Sequence, residues 1–328
     1  MLGGALRVQL TLLELFRTLT SFAPARVDLK NAPWDSFCDW AIAQGLAPLA
    51  AYNLEYRLGA ATIPEWVRHR LLSLYQGSAH DNVMKLVNLK RAIDDLEGRT
   101  IALVGGASFA ESLYPHVAFR PVIDVRLAVP AQDVEPLVTW LRRSEFKPLE
   151  VTDPGGASRV LSDTRTTIFV HGALLSSPAE HAALLSRALP MRAFGPSAKR
   201  LDAEDALLVH CLLIARAGFD VPMLEFIDLR ELVLGAPSMG GPYGRALDAA
   251  VIAARAKTWN AERALFGALS VVERLWPETA AAIAPLKPEL NLLVRETLER
   301  LVVRPCAEIG RTEGLKGEEV VRSLLAKD

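Results

Sequence analysis

The sequence predicts an α+β protein in which a small mixed sheet with packed helices lies between two helical regions. Apolar residues recur at helical spacing before residue 98, short β-rich runs follow up to residue 200, and helical spacing then returns. A strand–helix–strand–helix unit followed by further strands is typical of a mixed sheet covered by helices. We therefore expect an N-terminal helical region (1–98), an α/β core (99–200) and a C-terminal helical domain (201–328).

The composition is that of an ordinary globular protein. Of the 328 residues, 51% are hydrophobic and 23% are charged, which argues against long disordered or fibrous segments. The net charge of −1 predicts no bulk affinity for nucleic acid or for membranes, although it leaves a local basic groove open. No run of about 18 uncharged apolar residues predicts a transmembrane helix. The N-terminus has no secretory signal pattern, and Cys38, Cys211 and Cys306 form no disulfide or zinc motif, so a cytoplasmic protein is expected.

The first hundred residues are predicted to be helical. Residues 10–19 carry apolar side chains at helical spacing, and Pro33 stands in the first turn of a second helix, where its missing N–H costs nothing. A long amphipathic pattern then runs from Trp66 towards Leu96. Gly98 marks its predicted end.

The predicted core contains the clearest strand of the chain. A short apolar run from Thr100 ends at Gly105 and Gly106, where a short helix is predicted to begin. The segment PVIDVRLAVP alternates strictly between Pro121 and Pro130, which predicts an inner strand beside the first one. An amphipathic helix over 131–144 and three strand candidates over 146–152, 158–163 and 166–174 follow.

The last third of the chain is predicted to be helical again. Asp202 is a good N-cap for a helix that ends near Gly218. A second helix is expected over 221–235, a glycine-rich loop over 236–244, and further helices from residue 246.

Two features of the predicted core indicate a ligand cleft. Two glycines between a strand and a helix offer backbone N–H groups to a phosphate. On the second strand, Asp124, Arg126 and Ala128 share one face because alternate side chains point the same way. The opposite face is apolar, as expected of a half-exposed strand that lines a cleft.

The stretch LVGGASFAESLYPHVAFRPVIDVRLAV (103–129) resembles a known pattern, LKG-A-L---LYP----RP--DIDLLV. The pattern is that of the uncharacterised bacterial branch of the polymerase-β-like nucleotidyltransferase superfamily. The likeness extends over about residues 34–235 and implies a small nucleotidyltransferase-like sheet. The candidate nucleotide or phosphate contacts are Gly105, Gly106, Ser108, Arg120 and Arg126, and His171 and Asp228 are candidate cleft residues.

The chain departs from that pattern at the metal site. In the family pattern, two aspartates on the second strand chelate Mg²⁺, which bridges the triphosphate. Here Asp124 is retained as the catalytic and metal-binding candidate, but Arg126 replaces the second aspartate. Val104 stands where the pattern has a lysine, and Phe169 stands where the family has a third acid. One carboxylate beside a fixed cation is a poor site for a divalent metal.

Several of these residues have a structural interpretation as well as a functional one. Arg126 either pairs with Asp124 on a structural strand or holds a phosphate directly in place of a metal. Ser108 either donates to a phosphate or caps the following helix, and Arg120 is expected at the cleft rim or in solvent. The remaining candidates are two histidines interpreted as core (His171 and His210, the latter beside Cys211), two spare carboxylates (Glu111 and Asp163), and Asp228, which faces either the cleft or a helix end.

Three hypotheses for the function follow. In the first, the chain is a degenerate nucleotidyltransferase-family protein, a pseudoenzyme that binds an NTP, another phosphate ligand or a protein partner without efficient transfer. In the second, it is an active Mg²⁺-dependent enzyme that moves a nucleotidyl group from an NTP to an unknown acceptor. In the third, it is a helical scaffold whose ancestral cleft is empty. No serine–histidine–acid set, Walker A loop or HExxH motif indicates another enzyme class.

Overall fold

The computed structural model describes residues 11–58, 63–96, 98–235 and 243–307. Within those ranges, no helix combines the length and the apolar character that crossing a membrane requires. The fold is α+β, as predicted, with one seven-stranded mixed sheet surrounded by helices.

The N-terminal part of the described chain is helical. Its first helix has a capping box, in which Thr11 and Glu14 each bond the other's backbone N–H. The long fourth helix lies along the sheet, and Asn82 in its middle donates to the carbonyl oxygens of Val117 and Arg120 at 2.6 and 2.7 Å. The N-terminal α-helices are α1 (Leu12–Leu19), α2 (Trp34–Ala43), α3 (Ala47–Tyr52, continued by a π-helical turn over Asn53–Leu58) and α4 (Glu65–Ile93).

The sheet is formed by residues between 102 and 200. Its strands are β1 (Ala102–Val104), β2 (Asp124–Ala128), β3 (Lys147–Pro148), β4 (Arg159–Ser162), β5 (Thr167–His171), β6 (Leu189–Met191) and β7 (Gly195–Arg200). Its helices are α5 (Gly106–Ser112), α6 (Val134–Arg143) and α7 (Pro178–Arg187). The strand order is β3-β4-β5-β2-β1-β7-β6.

Strand β2 is an inner strand next to β1, as the alternating segment predicts. It pairs antiparallel with β1 and parallel with β5. One face of β2 buries Val125 and Leu127 in a core shared with α4 and α6. The other face carries Asp124 and Arg126 and lies towards the helices that follow the sheet. This alternation creates the two environments, one apolar and one charged, that the sequence pattern predicts.

The C-terminal part of the described chain is also helical. Asp202 caps the first of these helices by accepting from the backbone N–H of Asp205 at 2.7 Å, as predicted. The helices are α8 (Ala203–Arg216), α9 (Met223–Leu234), α10 (Ala249–Thr258), α11 (Glu262–Leu275), α12 (Ala280–Ile283) and α13 (Leu292–Ala307). Most of the predicted glycine-rich loop, residues 236–242, lies outside the described residues.

Two strands go beyond the sequence prediction. Strands β6 and β7 extend the sheet past β1, and β7 pairs with β1 in parallel. Their short segments contain Pro190, Gly195 and Pro196, which are depleted in strands, so residue preference gave no strand signal. The division into parts at residues 98 and 200 stays a prediction.

Candidate functional site

The glycine corner lies between β1 and α5. Gly105 has φ = 64°, in the left-handed region that favours glycine, and it is the N-cap residue of α5. The next residue is glycine for a different reason, because the Arg120 side chain lies against it. A β-carbon at Gly106 would stand 2.7 Å from Arg120 Cζ. The corner is therefore built around a buried guanidinium.

Arg120 is held by two carboxylates of α9. Its Nε and Nη2 atoms donate to Asp228 Oδ2 at 2.9 and 2.6 Å, and Nη2 also donates to Glu225 Oε1 at 2.8 Å. The Tyr114 hydroxyl adds a third donor to Asp228 at 2.8 Å. Arg120 is only 2% exposed, so the rim position predicted for it is wrong. The aligned arginine instead forms buried ion pairs with Asp228 and Glu225.

The two carboxylates of α9 differ in their protonation behaviour because they share one guanidinium. Burial raises the pKa of Asp228, which is fully enclosed. Burial also acts to raise the pKa of Glu225, but Arg120, His210 and Arg126 together lower that pKa. Burial alone would lower the pKa of Arg120, yet Asp228 and Glu225 together raise it above its ordinary value. The guanidinium therefore stays charged and keeps at least one carboxylate ionised.

His210 of α8 lies beside the same carboxylates. Its Nε2 atom is 3.0 Å from the backbone oxygen of Glu225 and 3.8 Å from Asp228 Oδ2. Its Nδ1 atom is buried without a hydrogen-bond partner among the described residues. One potential ligand atom from each of His210, Glu225 and Asp228 lies within 4.8 Å of the others, which makes this trio the one metal-like cluster of the described chain.

Arg126 has a different partner from the one the sequence suggests. Its Nη1 and Nη2 atoms donate to Asp153 Oδ2 and Oδ1 at 2.9 and 3.1 Å, whereas Asp124 Oδ2 is 3.5 Å away. The guanidinium also lies 4.3 Å from the centre of the Phe169 ring, a favourable cation–π distance. Arg126 thus stands between the side chains of Asp124 and Asp153.

Gly155 allows Arg126 and Asp153 to meet. A β-carbon at Gly155 would stand 2.6 Å from Arg126 Nη1 and 2.9 Å from Asp153 Oδ2. The same loop is held from the other side by Arg216 of α8, which donates to the Gly155 carbonyl oxygen at 3.0 Å. The loop between β3 and β4 is therefore fastened over the charged face of β2.

Asp124 and His171 border this pair at different depths. The Asp124 side chain is 34% exposed, and burial of the rest raises its pKa against the opposing effect of Arg126. His171 is fully buried, and its Nε2 atom lies 3.3 Å from Arg126 Nη1. Burial, with a smaller contribution from Arg126, lowers the pKa of His171 to about 4. A neutral His171 can therefore accept a hydrogen bond from Arg126.

The structure places the remaining sequence candidates in supporting positions. Ser108 is 2% exposed on α5, which has no side-chain cap. Glu111 accepts from the backbone N–H of Ala193 at 3.1 Å. Asp163 accepts from the backbone of Thr166 at 2.5 Å within the β4–β5 turn. None of these carboxylates belongs to the metal-like cluster found among the described residues.

Sequence reasoning missed two residues of the cleft. Asp153 lies in the DPGGAS segment, which predicts only a turn, and nothing in its spacing connects it to Arg126. Glu225 had a usable signal, since it precedes Asp228 by three residues and shares its helix face. Its side chain is 22% exposed, beside the buried Asp228.

The glycine corner and β2, with Asp124, lie side by side in the central sheet, and both fall within the segment that a protein-family model matches. The chain belongs to the family described as uncharacterised nucleotidyltransferase, whose model matches residues 30–277. This match confirms the resemblance found on residues 103–129 and extends beyond the range of about 34–235 expected from it. Comparisons with curated proteins and with solved structures gave no significant match.

Proposed function

We propose that this chain is a nucleotidyltransferase-family protein that acts by binding and does not catalyse metal-dependent nucleotidyl transfer. One observation carries the proposal: the guanidinium of Arg126 lies where the family pattern has its second metal-binding aspartate, and it pairs with Asp153 through both terminal nitrogens. A fixed cation at this position opposes the binding of a second cation beside Asp124. The cleft therefore lacks the paired carboxylates on which the family's transfer chemistry depends.

A divalent metal does not fit the Asp124 side of the cleft. Mg²⁺ requires near-octahedral oxygen ligation, usually with one or two carboxylates and several waters. Arg126 is already 3.5 Å from Asp124 and bonds both oxygens of Asp153. A Mg²⁺ ion bridging these carboxylates would have to displace the guanidinium.

The trio on α8 and α9 does not fit Mg²⁺ either. Arg120 donates to Asp228 and to Glu225, so the negative charge of the trio is already compensated. His210 contributes a nitrogen, whereas Mg²⁺ prefers oxygen ligands. The deeper carboxylate, Asp228, is fully buried and leaves no room for the waters that Mg²⁺ retains.

If the bound partner is a nucleotide, we expect the glycine corner and Arg126 to contact its phosphates. Both terminal nitrogens of Arg126 already donate to Asp153, so a phosphate would have to replace Asp153 as their acceptor. Such a contact needs no metal and weakens with salt, because it is an ion pair near the surface. Replacing Arg126 by alanine should reduce nucleotide affinity about tenfold or more, the value of a charge-assisted bidentate contact.

An active Mg²⁺-dependent enzyme is the second candidate, and one observation favours it. Glu225 lies close enough to Asp124 for its charge to contribute to the raised pKa of that group. In this version, α9 supplies the carboxylate that β2 lacks, and Mg²⁺ binds together with the NTP. The acceptor of the nucleotidyl group would be unknown.

Pyrophosphate release from each of the four NTPs, with Mg²⁺ or Mn²⁺, separates these two candidates. We expect the wild type to release no more pyrophosphate than the Asp124→Ala variant. Metal-dependent release that the Asp124→Ala change abolishes would overturn the proposal in favour of the enzyme.

Melting temperatures measured with the same nucleotides, in Mg²⁺ or in EDTA, test whether the protein binds a nucleotide. A ligand that binds only the folded state stabilises it by about 2.7 kcal/mol at a hundredfold excess over Kd. A shift that persists in EDTA and is lost in Arg126→Ala would support nucleotide binding through Arg126. If no nucleotide shifts the melting temperature, binding of a protein partner on a scaffold remains the better proposal.

A further inference from the structure

A basic groove lies on the face of the sheet opposite the cleft. It has a volume of about 870 Å³ and lies between the C-terminal ends of α4 and α6 on one side and β3, the end of β4 and the β4–β5 turn on the other. Helices α4 and α6 pack on the apolar face of β2, so the groove and the Asp124 cleft open on different faces. Its basic lining residues are Arg91, Arg142, Lys147 and Arg165.

None of these four side chains makes an ion pair or a hydrogen bond with another residue that the structure describes, although most arginines of the fold do. The two acids of the lining do not neutralise them. Glu145 forms no ion pair with any residue that the structure describes, and Asp163 accepts from the backbone N–H groups of Arg165 and Thr166. Four cations against two acids leave the groove positive in a chain whose net charge is −1.

Helix-end electrostatics account for only half of this charge. Arg142 is in the last turn of α6 and Arg91 in the last turn of α4, where cations complement the helix dipole. Lys147 lies on the edge strand β3 and Arg165 lies in the β4–β5 turn, where no such dipole acts. The convergence of all four therefore needs another explanation.

We propose that this groove binds the phosphate backbone of single-stranded nucleic acid. Arginine, lysine and short hydroxyl or amide side chains are the groups that contact phosphates and sugars in such complexes. Besides the four cations, the groove is lined by the neutral polar side chains of Asn88, Ser144, Ser162 and Thr164. The basic side chains come from both walls, so one strand between the walls is contacted from two sides.

The same lining predicts that binding does not depend on base sequence. Sequence-tolerant single-strand sites usually add aromatic platforms on which bases stack. The aromatic side chain of this lining, Phe146, is only 4% exposed and offers no such platform. Affinity therefore comes from phosphate contacts, and it falls with salt with a slope of about −0.7 per contact in a log–log plot. The inference does not depend on the state of the Asp124 cleft.

Fluorescence anisotropy with the full chain and labelled 12-mers of U, A and dT, between 50 and 200 mM KCl, tests the proposal. All three 12-mers should bind with similar affinity, with a salt slope between about −2 and −3 for three or four phosphate contacts. The Arg142→Glu/Lys147→Glu variant should lose about tenfold or more in affinity, uniformly across the three sequences.

The matched control is Arg26→Glu/Lys30→Glu, which changes the net charge equally at two exposed residues outside the groove. It should retain its affinity within about twofold, which is under 0.5 kcal/mol. The milder Arg142→Gln/Lys147→Gln variant should lower the salt slope by about 1.4, and it preserves the test if charge reversal prevents folding.

Three outcomes would overturn the proposal. The first is no binding of any 12-mer at 50 mM KCl, and the second is an equal loss in the groove variant and its control. The third is tighter binding of a 12-base-pair duplex or of poly-glutamate than of the single strands, because the groove would then serve a different partner.

Discussion

Both terminal nitrogens of Arg126 donate to the carboxylate of Asp153, at 2.9 and 3.1 Å. Fork-to-fork pairs of this kind are strong and geometrically specific. The pair ties the middle of β2 to the loop before β4, and it leaves Asp124 as a weaker partner at 3.5 Å. The position at which the family pattern has a metal-binding aspartate thus carries a cation, Arg126, which is paired with Asp153.

The Arg126→Asp variant should gain divalent-metal binding. The new carboxylate would share a strand face with Asp124 and would face Asp153, which loses its counterion. Calorimetric titration with Mn²⁺ should show binding by Arg126→Asp and none by the wild type. We expect no turnover, because Val104 still stands where the quoted pattern has a lysine.

The matched control for this prediction is Arg126→Gln. It removes the guanidinium without adding a carboxylate, so its Mn²⁺ affinity should stay well below that of Arg126→Asp. If neither variant binds Mn²⁺, this face of β2 is not a ligand site.

Replacement of Gly106 by alanine should destabilise the fold. The new methyl group would overlap the Arg120 guanidinium, which is buried and held by its hydrogen bonds to Asp228. We expect a loss of about 1–3 kcal/mol in the free energy of unfolding, typical of overpacking in a well-packed site. Urea denaturation of Gly106→Ala provides the measurement.

Gly77→Ala is the matched control for Gly106→Ala. Gly77 lies within α4, and a β-carbon there would contact nothing within 4 Å. Alanine should therefore stabilise the helix by about 0.5–1 kcal/mol. A Gly106→Ala variant as stable as Gly77→Ala would contradict the packing of Arg120 on the glycine corner.

The Arg120–Asp228 pair should show strong coupling in a double-mutant cycle. Arg120→Met leaves a fully buried carboxylate without its counterion and should cost about 3–5 kcal/mol. Arg120→Met/Asp228→Asn removes that buried charge and should be more stable than Arg120→Met alone. If the losses in the free energy of unfolding caused by Arg120→Met and by Asp228→Asn add within about 0.5 kcal/mol in the double variant, the two residues act independently.

Local patterns predicted the fold well because each main element carries its own periodicity or cap. The strict alternation between Pro121 and Pro130 predicted β2 and its two faces, and Asp202 predicted the start of α8. Strand β7 escaped prediction because it pairs with β1, about 97 residues earlier in the chain, and such pairing leaves no local signal. Strand β6 pairs with β7, and the prolines and glycine of these two short segments are depleted in strands.

The site was less predictable than the fold, and for a related reason. The family pattern indicated Asp124 and Arg126, whose spacing is local, but their relation to Asp153 depends on a loop brought in by the sheet. The burial of Arg120 could not be read from its position before a proline either. It follows from the packing of α9 against the glycine corner, which is a long-range contact.

Acidification should destabilise the protein through His171. In the unfolded chain, this imidazole takes up a proton near pH 6.5, whereas burial and Arg126 lower its pKa to about 4 in the folded state. The unfolded state therefore binds more protons between these values, so stability falls as the pH drops from about 7 to 4. At about 1.4 kcal/mol per pH unit, the loss is about 3 kcal/mol.

Urea denaturation across this pH range measures the effect. The free energy of unfolding should depend less on pH in His171→Gln than in the wild type, and the exposed His80→Gln is the control for losing an imidazole. Parallel profiles of His171→Gln and the wild type would mean that folding does not lower the pKa of His171.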